Sequence, residues 1–306
     1  MAMAANFDSR FSGTGLQDLI AKEGRFETLV TGFGFTEGPA WHRDGFLVFS
    51  DILGDRLHRW SEDDGLATLR EPSNMANGTT WDRQGNLLIC EHARSRVSRL
   101  SPEGNYEVLA SHFLEKELNS PNDIIVKRDG SVWFTDPNSG RSARWGVERP
   151  QDLPFQGVYR LVSETGELTL LADDFAKPNG LCFSRDEQHL FVNDTERQHI
   201  RLFDVRRDGS ISGGAVWGET GGTEAGVADG MKLDEDGRLY CCGAGGIHVF
   251  EPGGEKLGVI RTPEVAANFT WGGEALDELY ITASTSVYRL CMNVRGHHPH
   301  ARMTGV

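Results

Sequence analysis

Phe35-Thr36-Glu37-Gly38-Pro39-Ala40-Trp41, followed by Asp44-Gly45-Phe46-Leu47-Val48-Phe49-Ser50, is the first occurrence of a layout that returns five times along the chain. Glu37 stands ten residues before Leu47, Asn77 ten before Leu87, Asn122 ten before Val132 and Asp229 ten before Leu239, with a polar or glycine turn between. Asn179 stands eleven before Leu190 and Asn268 eleven before Leu279, where the turns are one residue longer. Each unit begins with an oxygen-bearing side chain, and the steps between them are 40, 45, 57, 50 and 39 residues. Such intervals lie in or just beyond the range of propeller blades.

Within a unit the pattern is a short β-meander, as in Gly85-Asn86-Leu87-Leu88-Ile89-Cys90 and then Arg96-Val97-Ser98-Arg99-Leu100. One such sheet cannot bury both faces, so six of them must stack radially and close. The reading is an all-β six-bladed β-propeller of four-stranded antiparallel sheets over residues 24–292, with a lead-in at 1–23 and a tail at 293–306. Arg25-Phe26-Glu27-Thr28-Leu29-Val30 alternates before the first unit. It is expected to supply the outer strand of the last blade, near Val287-Tyr288-Arg289-Leu290, and so remove the open edge. Leu16 to Ala21 reads as a short helix.

The formal net charge of −14 argues against a nucleic-acid partner, which demands a basic face. No apolar run approaches the length of a membrane span, and residues 1–25 carry no basic segment leading into an apolar one, so the expectation is a soluble cytoplasmic protein without membrane partners. Cys90, Cys182, Cys241, Cys242 and Cys291 show no Cys-x-x-Cys spacing and are read as buried, reduced thiols. His297, His298 and His300 in the tail have no acidic companion and are read as a chain end rather than a metal site. The stretch 140–156 is the longest interval inside a unit; it is a candidate lid, or else a solvated excursion whose arginines face water.

In a propeller the segments entering the innermost strands meet at one end of the central channel, so residues 37, 77, 122, 179, 229 and 268 converge. Asn and Asp often only cap turns. Six in register, including two carboxylates and no histidine, favour a ring of hard oxygen donors for calcium, magnesium or manganese, and suit a thiolate-type zinc site poorly. There is no Gly-x-Ser-x-Gly elbow, and the glycine-rich stretches at 32–34 and 243–246 lack the helix that a nucleotide-binding loop requires. Those glycines mark tight turns and crowded inner strands.

The chain resembles the family of gluconolactonases, senescence marker proteins and luciferin-regenerating enzymes, and is most similar to its bacterial gluconolactonase branch. The pieces that carry the resemblance are Phe35 to Trp41, Asn119-Ser120-Pro121-Asn122-Asp123, Phe134-Thr135-Asp136-Pro137, Gly157-Val158-Tyr159-Arg160, Lys177-Pro178-Asn179-Gly180-Leu181 and Ala228-Asp229-Gly230-Met231. The resemblance implies one divalent ion, calcium first and magnesium, manganese or zinc after it, held by Glu37, Asn179 and Asp229, with Asn122 near ion and substrate and Asp123 beside the pocket. Register and proximity add Asn77, His92 and Asn268. Animal members have arginine where this chain has Ser120. The implied chemistry is opening of a sugar lactone, with Asp229 as first and Asp123 as second candidate for the base. Alternatives on the same scaffold are hydrolysis of a non-sugar lactone or a phosphotriester, or a calcium-binding propeller without turnover.

Overall fold

A computed structural model describes residues 11–12, 15–22 and 24–297. Six four-stranded antiparallel sheets form the blades of a β-propeller. Blade one comprises Thr36–His42, Phe46–Asp51, Arg56–Ser61 and Gly65–Arg70; blade two, Ala76–Trp81, Leu87–Glu91, Arg96–Leu100 and Tyr106–Ala110. Blade three comprises Ile124–Val126, Val132–Asp136, Gln156–Val162 and Glu167–Phe175; blade four, Pro178–Phe183, His189–Asp194, His199–Val205 and Ile211–Glu219. Blade five contains Met231–Leu233, Leu239–Gly243, Gly246–Phe250 and Lys256–Ile260. Blade six is Ala266–Gly272, Glu278–Ala283, Ser286–Cys291 and, from the other end of the chain, Glu27–Thr31.

The last pairing closes the ring. Glu27 sits opposite Arg289 and Thr31 opposite Ser286. The Arg289 guanidinium reaches the Glu27 carboxylate at 2.6 Å, also contacting Glu62 and Glu278. The lead-in differs from the sequence reading in two ways. Leu16–Leu19 forms a single 3-10 turn, ended where Ile20 becomes extended and bridges Met292. Phe11–Ser12 adds a fifth strand to blade five beside Val259–Ile260.

Second strands such as Leu47-Val48-Phe49 and Leu279-Tyr280-Ile281 are buried along their length, whereas the outer strand Gly65–Arg70 is mostly exposed. A strand sandwiched between neighbouring sheets needs apolar side chains on both faces, hence the continuous runs instead of strict alternation. Six apolar clusters result, one at each blade-to-blade interface. At the closing interface Trp41 of blade one stacks on Tyr280 of blade six with ring centroids 4.6 Å apart. Cys90, Cys182, Cys241 and Cys242 are buried as expected, but Cys291, at the end of a strand, is exposed. His298 and His300 of the tail lie outside the described residues, and among the described residues no helix is long and apolar enough to cross a membrane.

Candidate active site

The blades' inner strands carry the site on irregular backbone. Register shifts fall between Glu37 and Ala40, Ala76 and Thr79, Pro178 and Leu181, and Ala266 and Asn268. In blades three and five the regular first strand starts only at Ile124 and Met231, just beyond Asn122 and Asp229. A bulge re-aims a side chain that regular pleating would send into a neighbouring sheet.

The glycines that follow Glu37, Asn77, Asn179 and Asp229 let the inner strands approach closely. A Cβ on Gly38 would fall 1.9 Å from the Asn77 carbonyl oxygen, one on Gly78 2.3 Å from that of Asn122, and one on Gly180 2.2 Å from that of Asp229. Gly78 N–H donates to the Asn122 carbonyl at 2.8 Å, tying blade two to blade three at the channel. Carboxylates ending the second strands brace the loops that lead inward. Asp51 accepts from the Gly34 and Phe35 N–H groups, Asp136 from those of Asn119 and Ser120, and Asp194 from those of Ala176 and Lys177.

At this end of the channel lies a cavity of about 510 Å³ lined by Glu37, Asn77, His92, Asn122, Asn179 and Asp229 among others. These residues come from blades one to five. Asn268 of blade six stands behind them, its amide donating to Glu37 Oε2 at 3.1 Å. Asp123 is off the cavity wall: it is buried, one oxygen accepts from Ile124 N–H at 2.9 Å, and the other has no protein partner. It was expected beside the pocket, as second candidate for the base; it stands behind the wall, close enough for its charge to raise both Glu37 and Asp229.

The inner oxygens are poorly satisfied by protein. Asn77 Oδ1, Asn179 Oδ1 and Asp229 Oδ1 are buried with no hydrogen-bond partner. The orientation of Asn179 is determined by Thr195, whose hydroxyl donates to the Ala228 carbonyl at 2.7 Å and therefore accepts from Asn179 Nδ2 at 3.0 Å. The amide oxygen is left facing inward. Desolvation, and after it repulsion from Glu37 and then from Asp123, push Asp229 well above the usual carboxylate range. Glu37 is pushed up to about 7, chiefly by desolvation and against the pull of the Gly38 N–H. Buried, unpartnered, convergent oxygens next to two strained carboxylates are the environment that a hard cation relieves. Geometry and donor chemistry fit a divalent ion.

The 140–156 stretch is part of the cavity wall. Ser142, Trp145, Arg149 and Gln151 line it, while Arg141 is buried at its base, paired with Glu117 at 2.8 Å and donating to the Asn119 and Leu118 carbonyls. The Trp145 ring meets Phe35 edge-on at 4.7 Å, and the Arg144 guanidinium lies over the Trp145 ring. Phe35, Trp145, Thr195 and Lys177 also line this cavity; the first two and Lys177 lie in stretches singled out from the sequence, but none of the four was given a role at the site. Thr195 was findable, lying directly after the bracing Asp194; Trp145 and Phe35 needed the tertiary fold.

A family model described as the SMP-30/gluconolactonase/LRE-like region matches residues 35–285. The chain belongs to this family. It is 29% identical over 289 residues to the gluconolactonase of Zymomonas mobilis, covering 86% of this chain and 80% of that one. It is 27% identical over 256 residues to the pentonolactonase of Haloferax volcanii, covering 81% of each. A solved gluconolactonase structure from Xanthomonas campestris superposes with a TM-score of 0.84 at 34% identity, over 92% of this chain and 94% of that chain. The family's model thus begins at Phe35, the residue where the repeat begins.

Proposed function

We propose that this protein is a divalent-metal-dependent lactonase that hydrolyses a sugar lactone, of the gluconolactone or pentonolactone kind, to the open hydroxy acid. What supports the reading is the set of buried, unpartnered oxygens of Asn77, Asn179 and Asp229, converging with Glu37 on one cavity in a chain whose relatives bear the names of lactone hydrolases. Glu37, Asn179 and Asp229 would hold the ion, calcium by preference because the donors are all hard oxygens. When bound, the ion supplies a Lewis acid that polarises the ester carbonyl.

The protein's own groups do the rest. Asn122 lines the cavity, and among the described residues its side chain is engaged by no protein group, so its amide is free to bond the lactone. Asn77 presents an acceptor beside it. Asp229 is the first candidate to take a proton from attacking water, through the carboxylate oxygen that the ion leaves free, since it lines the cavity and Asp123 stands behind the wall. Trp145 and Phe35 supply an apolar side to the cavity against which a sugar ring can rest.

The test is proton release from glucono-1,5-lactone at constant near-neutral pH, corrected for spontaneous opening, with chelated protein and then with calcium, magnesium, manganese or zinc restored singly. Acceleration on restoring an ion is the expected result. No acceleration of any aldonolactone with any ion would sink the reading.

A further inference from the structure

His92 follows the second strand of blade two and is buried, with both ring nitrogens engaged. Nδ1 lies 2.9 Å from the Trp145 carbonyl oxygen, and Nε2 lies 3.0 Å from Asn77 Nδ2. A carbonyl oxygen only accepts, so Nδ1 carries the hydrogen. In a neutral imidazole Nε2 is then an acceptor. Burial holds His92 neutral by lowering it to about 4, against the pull of the Trp145 carbonyl. Asn77 must therefore turn its NH2 toward the ring, and its carbonyl oxygen, buried and unpartnered, is directed away from the ring toward the cavity.

The excursion that supplies Trp145 is seated directly on this imidazole. A Cβ on Gly140 would fall 2.7 Å from His92 Cβ and Cγ, and Arg149 reaches both the His92 carbonyl and the Ser95 hydroxyl. The contacts run in one chain: excursion carbonyl to His92, His92 to Asn77, Asn77 oxygen to the cavity.

We propose that His92 is a positioning residue which, clamped by Trp145, holds the Asn77 amide with its oxygen inward, where it accepts a hydrogen bond from a ring hydroxyl of the substrate. With Glu37, Asn179 and Asp229 committed to the ion, Asn77 Oδ1 and the Asn122 amide are the groups on the wall left for such hydroxyls, and of the two it is Asn77 whose orientation the protein sets. The cavity accordingly favours polyhydroxylated lactones over plain ones. The turnover part of this inference rests on the lactonase reading; the hydrogen-bond chain does not.

The experiment has two independent arms. In long-range ¹H–¹⁵N spectra of histidine-labelled protein, with the resonance assigned by its loss in His92→Phe, His92 is expected as the neutral Nδ1–H tautomer at pH 7. An Nε2–H tautomer or an imidazolium overturns the proposal whatever the enzyme does. In kinetics, His92→Phe and Asn77→Ala are each expected to lose about ten- to a hundredfold in kcat/KM on glucono-1,5-lactone, the range for one hydrogen bond made or left unmade. Both should lose less than threefold on unsubstituted δ-valerolactone, and the double variant should lose no more than the worse single one. Gly140→Ala, whose methyl would press on the His92 ring and equally on Ser120 Cβ, should lose more on glucono-1,5-lactone than on δ-valerolactone, as His92→Phe does. Additive losses, or equal losses on the two lactones, overturn it. Should His92→Phe not fold, the tautomer is assigned by elimination with conservative replacements of the other histidines, and Asn77→Ala alone decides the substrate dependence. If wild-type protein opens no lactone while the Nδ1–H tautomer is present, it is the lactonase reading that fails and the positioning chain that stands.

Discussion

The side-chain amide of Asn268 donates to Oε2 of Glu37 at 3.1 Å, joining the first strand of the last blade to the first strand of the first. Asn268 in turn is oriented by its own backbone, its oxygen accepting from Phe269 N–H at 2.9 Å. It lies off the cavity wall, so its effect on an ion is indirect. Groups that orient a ligand typically account for about ten- to a hundredfold in metal affinity. Asn268→Ala is accordingly expected to weaken calcium binding by about that factor, read by titration calorimetry, with the circular dichroism spectrum unchanged. Undiminished affinity would remove Asn268 from the site.

Glu37→Gln and Asp229→Asn keep shape and remove charge. Each is expected to lower metal-supported lactone hydrolysis by about a hundredfold or more, since these are the two carboxylates on the cavity wall that would balance the proposed ion. Relief of their mutual repulsion makes the metal-free variants at least as stable as the parent. A variant with full activity, or one that only loses stability, would show that the pair is structural. Melting curves recorded beside the assay separate the two cases.

The same pair links ion binding to protons. Glu37 is raised from 4.5 to about 7 and Asp229 lies well above 3.8, with desolvation the leading cause of each. Carboxyls raised on folding contribute stability that is complete below their unfolded values and is lost as pH rises through the folded ones. Metal-free protein should therefore lose melting temperature from pH 4.5 toward 7. Calcium bound by the pair, as proposed, would displace those protons, so its stabilising effect should grow with pH over the same interval. His92, lowered to about 4, works in the opposite sense, with stability lost as pH falls from 6.5, but it does so with or without the ion. The difference between the two melting curves is the quantity to follow; parallel curves would exclude proton-linked binding at this pair.

Much of this was legible in the chain because the repeat has a chemical marker. Oxygen-bearing residues at 37, 77, 122, 179, 229 and 268, each ten or eleven residues ahead of an apolar second strand, fixed blade number, inner strands and the site's location together. The closing strand was legible from an alternation that preceded the first marker. What the markers could not convey was direction. Asn122 and Asp123 are neighbours in sequence, yet Asn122 lines the cavity while Asp123 is buried behind the wall, acting on Glu37 and Asp229 through its charge. Nor could spacing show that Trp145 reaches His92 across 53 residues, since the excursion has no repeat to follow. Asp51, Asp136 and Asp194 form a second register, fourteen or fifteen residues after the first, and mark the braces that hold the inner loops.

Gly38 offers the sharpest test of how the inner ring is built. Its φ of +49° lies in the left-handed region, and a methyl group there would come within 1.9 Å of the Asn77 carbonyl oxygen, a backbone atom with no room to retreat because Ser50 Oγ donates to it at 2.8 Å. Gly38→Ala combines backbone strain with a collision between blades one and two, each worth about 1–3 kcal/mol. The displacement falls on Glu37, whose carboxylate accepts from Gly38 N–H, so the variant should lose metal affinity as well as stability. Gly45, also at positive φ but with nothing within 4 Å of its would-be Cβ, is the control: Gly45→Ala should cost about 1 kcal/mol and leave calcium binding intact. Equal destabilisation by the two, with calcium affinity untouched in both, would mean that the close approach at Gly38 does not position Glu37.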